Sequence, residues 1–300
     1  MGWRVLLLSE PSRVSLANNS LVVKKESKEP ILLPLIDIDI VVIENQQISI
    51  TSALLGRLAS QNIAVVVCDN YYQPSGIINP IGTNIRHGQF AKAQLQFSQK
   101  KKDELWQAIL HQKIFNQSFV LATYNHKKES QELIEIANRI YHGDTVALEG
   151  YAASLYFKTL FPNLIRKSNT EIDARNDALN YGYAILRAAI LRYIAASGLL
   201  PVVGIWHSSN LNSGNLADDI IEPFRPLVDI IVQNIFHTKP DQPTIYKKEK
   251  LELLAILQSK ISIDSKTHTT SDAIGICVDS LRKSFLSGEN MLKQPILGDL

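Results

Sequence analysis

Residues 71–82 read YYQPSGIINPIG. Two prolines and two glycines in so short a span mark a break in regular structure, because proline lacks a backbone donor and glycine leaves the chain unrestrained. What lies on either side differs in kind. Upstream come WRVLLLS, RVSLANNSLVVKK, ILLPLIDIDIVVIEN and IAVVVCDN, short aliphatic and β-branched runs separated by Asn, Ser and Pro. Such runs predict a hairpin-rich sheet, with the turn of one hairpin at Asn18-Asn19. One helix interrupts it, ALLGRLASQ after the capping pair Thr51-Ser52.

Downstream, stretches such as QFAKAQLQFSQKKKDELWQAILHQKIFNQSFVLATY repeat their apolar residues near every 3.6 positions. Helices are expected at about 88–102, 104–124, 129–140, 145–161, 173–198, 214–233 and 247–260, with Asp144 and Asp173 as caps and Pro162 as a stop. The chain therefore reads as α+β: a β-rich unit over 1–80, then a helical unit over 81–300.

Composition bounds the function. Of 300 residues, 45% are apolar and 20% charged, the balance of a chain that buries a sizeable core. A formal charge of +2 gives no global pull toward nucleic acid, so any such surface must come from local clustering or assembly. Of the two cysteines, Cys68 and Cys277, Cys68 sits in the strand-like run IAVVVCD and reads as a small buried hydrophobe, which fits a reducing, cytoplasmic setting. The start, MGWRVLLLSEP, is too short an apolar run for a secretory signal. Residues 183–206 are nearly long enough to span a bilayer, but Arg187 and Arg192 fall inside them and Gly198 and Pro201 interrupt them, so no membrane segment is expected.

The segment NLADDIIEPFRP, residues 215–226, sets three acids on an apolar stretch. Asp218 and Glu222 are four apart and Asp219 and Glu222 three apart, which brings them to one side of a helix. Buried like charges repel and need a cation, either Arg225 or a metal ion. Pro223 should kink or restart the helix at Glu222. His207, in GIWHSSN, precedes this cluster by a polar loop. Glu149, in ALEGYAASLYF, lies on a small apolar helix face; an arginine such as Arg187 or Arg192 is one candidate partner for it, a metal another. Together Glu149, His207 and Glu222 make a mixed oxygen and nitrogen set of the kind that suits Mg²⁺ or Mn²⁺. The chain lacks HExxH, paired CxxC, GxxxxGK[ST], GxSxG and GxGxxG, so zinc proteolysis, nucleotide hydrolysis, esterase chemistry and dinucleotide binding have no support.

The pieces MGWR, WQAILHQKIFNQ, ALEGYAASLYF, DARNDALNYGYAILRAAI, GLLPVVGIWH and NLADDIIEPFRPLVD recur in order along the chain. In them it resembles the CRISPR-associated spacer-acquisition integrases, the adaptation nucleases of these immune systems, and most of all their type II branch. The resemblance implies an N-terminal β-sandwich-like domain used in dimerisation and an all-helical catalytic domain. It implies metal ligands at Glu149, His207 and Glu222, with Asp218 and Asp219 as supporting acids. It also implies a homodimer, a small ferredoxin-like adaptation partner in a four-plus-two complex, and double-stranded DNA as substrate, both the captured fragment and the CRISPR repeat. Type II relatives work in addition with a further adaptation protein and the effector nuclease. Basic clusters at Lys100 to Lys102, Lys127-Lys128, Arg166-Lys167 and Lys247-Lys248 are candidates for phosphate contact. Two other readings stand beside integration: a metal-dependent nuclease of branched DNA, and a non-catalytic DNA-binding scaffold.

Overall fold

The computed structural model describes residues 4–26, 28–78, 86–140, 145–164, 173–238 and 242–298. Its first part is built from β1 (Arg4–Leu8), β2 (Arg13–Ala17), β3 (Ser20–Lys24), β4 (Ile31–Pro34), β5 (Ile38–Ile43), β6 (Ser49–Ile50), α1 (Ser52–Ser60), β7 (Ala64–Cys68) and β8 (Pro74–Ile78). Asn18 and Asn19 turn the β2–β3 hairpin with φ of 47° and 58°, the left-handed pair a two-residue hairpin turn requires. Thr51 caps α1, its hydroxyl accepting from the Leu54 amide.

Two four-stranded sheets result, in the orders β1-β5-β7-β8 and β4-β3-β2-β6. A small core of Leu8, Val14, Leu21, Val41, Leu54 and Val65 lies between them. The first sheet is not the hairpin array expected from its sequence, because β1, β5 and β7 run parallel. Its strands are covered on both faces, which is why they read as unbroken apolar runs. Val41 and Val65 point to the small core, while Ile40, Val42, Ala64, Val66 and Cys68 point to the helices. Burial lifts the Cys68 thiol to about 12, in keeping with an inert packing role.

The break at residues 71–82 is only partly what it resembled. Pro74–Ile78 pairs antiparallel with β7 as an edge strand, and a proline is tolerated at the first position of such a strand. Residues 79–82 lie outside those described.

The second part comprises α2 (His87–Gln96), α3 (Gln99–Thr123), α4 (Lys127–Arg139), α5 (Thr145–Leu160), α6 (Ala174–Ser197), α7 (Asn215–Ile220), α8 (Arg225–Thr238), α9 (Lys247–Leu254), β9 (Lys260–Ile263), β10 (Lys266–Thr269) and α10 (Thr270–Ser287). The first helical break comes at Phe97-Ser98 and not near residue 103, since both residues there are extended. Asp173 caps α6 as expected, accepting from the Arg175 amide at 2.9 Å; the other expected cap, Asp144, lies outside the described residues. Helix α9 ends at Leu254 in a 3-10 turn, earlier than its periodicity suggested. Beyond it a two-stranded hairpin, turned by Asp264 and Ser265 with φ of 55° and 58°, departs from the all-helical expectation for this half, whose other described regular elements are helices.

Helix α6 is apolar nearly all round because it is the axis of the larger core. Two buried ion pairs join it and its neighbours to the first sheet. Arg192 meets Asp39 at 2.7 Å, and Lys250 of α9 meets Glu44 at 2.6 Å. Gly198, with φ of 81°, ends α6 in the left-handed conformation. No described helix is long and apolar enough to cross a membrane.

Candidate active site

Pro223 acts as its chemistry dictates. The expected helix 214–233 divides into α7, a 3-10 turn over Glu222–Phe224, and α8, so Glu222 stands at the restart with its side chain 8% exposed. Opposite it run α3 and α5. Lys113 of α3 places its ammonium 2.7 Å from Glu222 Oε2 and 2.8 Å from Glu149 Oε1. The two acids thus converge on one buried cation from α5 and from the 3-10 turn. Arg225 adds a second positive group, its Nε donating to Glu222 Oε1 at 2.9 Å. Burial alone would raise the Glu222 carboxyl, but the Lys113 and Arg225 cations outweigh it and hold it down to about 2. Burial alone would lower the Lys113 ammonium, and the two carboxylates reverse that.

Arg225 is supported from behind. Its guanidinium lies 4.6 Å from the Tyr183 ring centroid, and the hydroxyls of Tyr183 and Tyr156 both donate to the buried Asp229 carboxylate. These tyrosines belong to the core and give no exposed stacking surface.

The two neighbouring aspartates have separate tasks. Asp219, fully buried, accepts from the backbone amides of Ile205, Trp206 and His207 at 2.5, 3.3 and 3.0 Å, and lies 2.8 Å from His207 Nδ1. It therefore shapes the loop and orients the imidazole. The hydrogen bond from His207 Nδ1 to Asp219 favours the charged ring and raises the His207 pKa against the opposing effect of burial. The ring edge also meets Trp106 at 5.7 Å, and Trp106 stacks on Trp206 at 5.6 Å. With Nδ1 so engaged, Nε2 has no hydrogen-bond partner among the described residues. Asp218 turns the other way, to Arg187 Nε at 2.6 Å and Asn212 Nδ2 at 2.5 Å.

This division has a measurable consequence. Asp219→Ala takes the partner from three backbone donors, one of them, the Ile205 amide, buried, and should lower the unfolding free energy by about 3 kcal/mol. Asp218→Ala removes a partly exposed pair and should cost within about 1 kcal/mol. Equal losses in urea unfolding would contradict the assignment.

The arginines entertained as partners for Glu149 are thus engaged elsewhere, Arg187 with Asp218 and Arg192 with Asp39. Lys113 takes that place. It was readable in principle: it follows Ile109 and Leu110 and precedes Asn116 and Gln117 at helical spacing, so it falls on the buried stripe of α3. In kind, two carboxylates gathered on a positive charge and an imidazole with one free nitrogen fit a hard divalent cation. Among the described residues, no three His, Cys, Asp or Glu groups stand close enough to hold a metal together. The Lys113 ammonium fills the space between the two glutamates.

Of the basic clusters, Lys102 donates to the Gly204 carbonyl at 3.2 Å, beside the His207 loop, with Lys100 and Lys101 exposed next to it. Lys247 and Lys248 reach Glu10 and Glu252. Lys127 and Lys128 begin α4, and Arg166-Lys167 lie outside the described residues.

The family model for CRISPR associated protein Cas1 matches residues 5–260. The chain belongs to the Cas1 family. Among curated proteins it is 36% identical to the CRISPR-associated endonuclease Cas1 of Neisseria meningitidis serogroup C (strain 8013), over 96% of this chain and 92% of that one. Among solved structures it resembles a casposase bound to integration product, with a TM-score of 0.80 at 21% identity over 97% and 92% of the two chains. It also resembles a chain of a Cas6-RT-Cas1–Cas2 complex, with a TM-score of 0.78 at 18% identity over 99% of this chain and 36% of that one. At those identities the two structures attest the fold, sheets first and helices after.

Proposed function

We propose that this Cas1-family chain is a divalent-metal-dependent DNA integrase and endonuclease of CRISPR adaptation. In that reaction the 3′-hydroxyl of a captured duplex attacks a phosphodiester of the CRISPR repeat and expels a 3′-oxygen. The observation that carries the reading is the meeting of Glu149 and Glu222, from separate elements, on one cation, with the His207 imidazole, fixed by buried Asp219, within electrostatic reach of Glu222. Glu149, Glu222 and His207 would hold Mg²⁺ or Mn²⁺, which would lower the pKa of the attacking hydroxyl and offset charge on the phosphoryl oxygens.

The chain's own groups do the rest. Asp219 holds the ring through Nδ1, which leaves Nε2 as the nitrogen that would meet a metal ion. Arg225 keeps Glu222 ionised, and Lys113 holds the two glutamates together. Since one phosphodiester replaces another, positioning carries the reaction and no nucleotide is consumed. Duplex DNA, a homodimer and a small Cas2-type partner belong to this proposal; of the structural neighbours, one is bound to an integration product and one is assembled with Cas2.

The test offers a labelled duplex with free 3′-hydroxyls to a supercoiled plasmid bearing the repeat, with the small partner and Mg²⁺ or Mn²⁺. Joining of label to plasmid, suppressed by chelator, is expected. Nicking without joining would instead favour a plain nuclease. Neither product would favour a scaffold in which Glu149 and Glu222 serve only as ion-pair partners of Lys113.

A further inference from the structure

Helix α3 holds the Glu222 turn at two points. Lys113 takes the Glu222 side chain, and Asn116, three positions on and so on the same face, takes the backbone. Asn116 is fully buried, and its Nδ2 donates to the Pro223 carbonyl at 2.8 Å. The same Nδ2 donates to the Pro295 carbonyl at 3.0 Å, and its Oδ1 accepts from the Leu297 amide at 3.1 Å and from Gln112 Nε2 at 2.9 Å. All four hydrogen-bonding valences of the amide are therefore used, and two of them go to the irregular segment after α10.

That segment is fixed independently. Gln294 Nε2 donates to the Ala108 carbonyl at 3.1 Å, the Ile296 amide donates to the Ser262 carbonyl at 2.8 Å, and Leu297 is 4% exposed in the large core. A buried amide with every valence filled has one orientation, and losing the partners on one side frees it to turn away from those on the other. The family model stops at residue 260, so the bracing segment lies outside the part of the chain that the model matches.

We propose that residues 294–297 are a positioning element for Glu222, setting through the Asn116 amide the attitude of the 3-10 turn that carries it. This rests on the proposed strand-transfer reading for its consequence in catalysis, but not for its structural content. Leu297 is buried in the core, carries no charge and bonds Asn116 through its own amide, so its link to the Glu222 turn runs through that amide.

The experiment uses full-length Leu297→Ala, Leu297→Met and Asn116→Asp, with hydrogen exchange followed by mass spectrometry beside strand-transfer kinetics. Leu297→Ala should speed exchange at least tenfold both in residues 290–298 and in 221–226, while the middle of α6 stays as protected as in the parent. Its kcat for strand transfer should fall about tenfold with KM for DNA within twofold, and Leu297→Met should restore both. Asn116→Asp, which can no longer donate to either carbonyl, should speed exchange in 221–226 as well. Faster exchange confined to 290–298, with kcat intact, overturns the proposal. So does a uniform rise that includes α6, since that is general destabilisation. If the parent protein shows no strand transfer, the proposed reaction fails, and the exchange pattern alone decides this inference.

Discussion

Lys113→Met lowers the unfolding free energy by about 3 kcal/mol at neutral pH, the lower end of what removing one partner from a buried ion pair costs. Methionine fills much the same length, so the loss is electrostatic. Glu222 keeps Arg225, which holds the effect to that lower end, and Glu149 is partly exposed and can recruit water. The dependence on pH follows from the depressed carboxyl. Glu222 is held at about 2, below its ordinary value of 4.5. Its contribution to stability is therefore present above about 4.5 and is lost as pH falls from there toward 2. Without Lys113 the carboxyl rises, so the variant should have less of this stability to lose across that window. Urea unfolding at several pH values reads both effects. A loss under 1 kcal/mol, or an unchanged acid limb, would mean that the bridging geometry contributes little.

Glu149→Ala should reduce strand transfer at least about a hundredfold, since even outer-shell partners at metal sites are felt at 10- to 100-fold. Its folding should change little. The residue is partly exposed, and Lys113 keeps its partner Glu222. DNA affinity should also hold, because no phosphate-directed charge is removed. The informative measurement is single-turnover joining at saturating Mn²⁺ beside DNA titration of the same protein. Retained joining would leave Glu149 as an ion-pair partner and nothing more.

Much of this was legible along the chain. Short β-branched runs on one side and period-3.6 runs on the other separated the two halves, Asn18-Asn19 announced its hairpin, and Pro223 announced the restart that exposes Glu222 to its partners. The parallel pairing of β1, β5 and β7 was not legible, because a strand buried on both faces carries no alternation to distinguish its neighbours. Nor was the hairpin at 260–269, too short for its pattern to stand out from a helix end.

The sequence by itself determined which residues are acidic on apolar surroundings, where helices must break, and which half of the chain carries them, since these follow from side-chain chemistry and short-range spacing. Only the tertiary structure decided which charges meet. Lys113 and Glu222 are far apart in the chain, and so are Glu149 and Glu222; Asp218 and Asp219 differ by a single position yet face Arg187 and His207 respectively. Electrostatic partnership depends on distance and burial, which fall so steeply with a few ångströms that only the packed arrangement of α3, α5 and the 3-10 turn can set them.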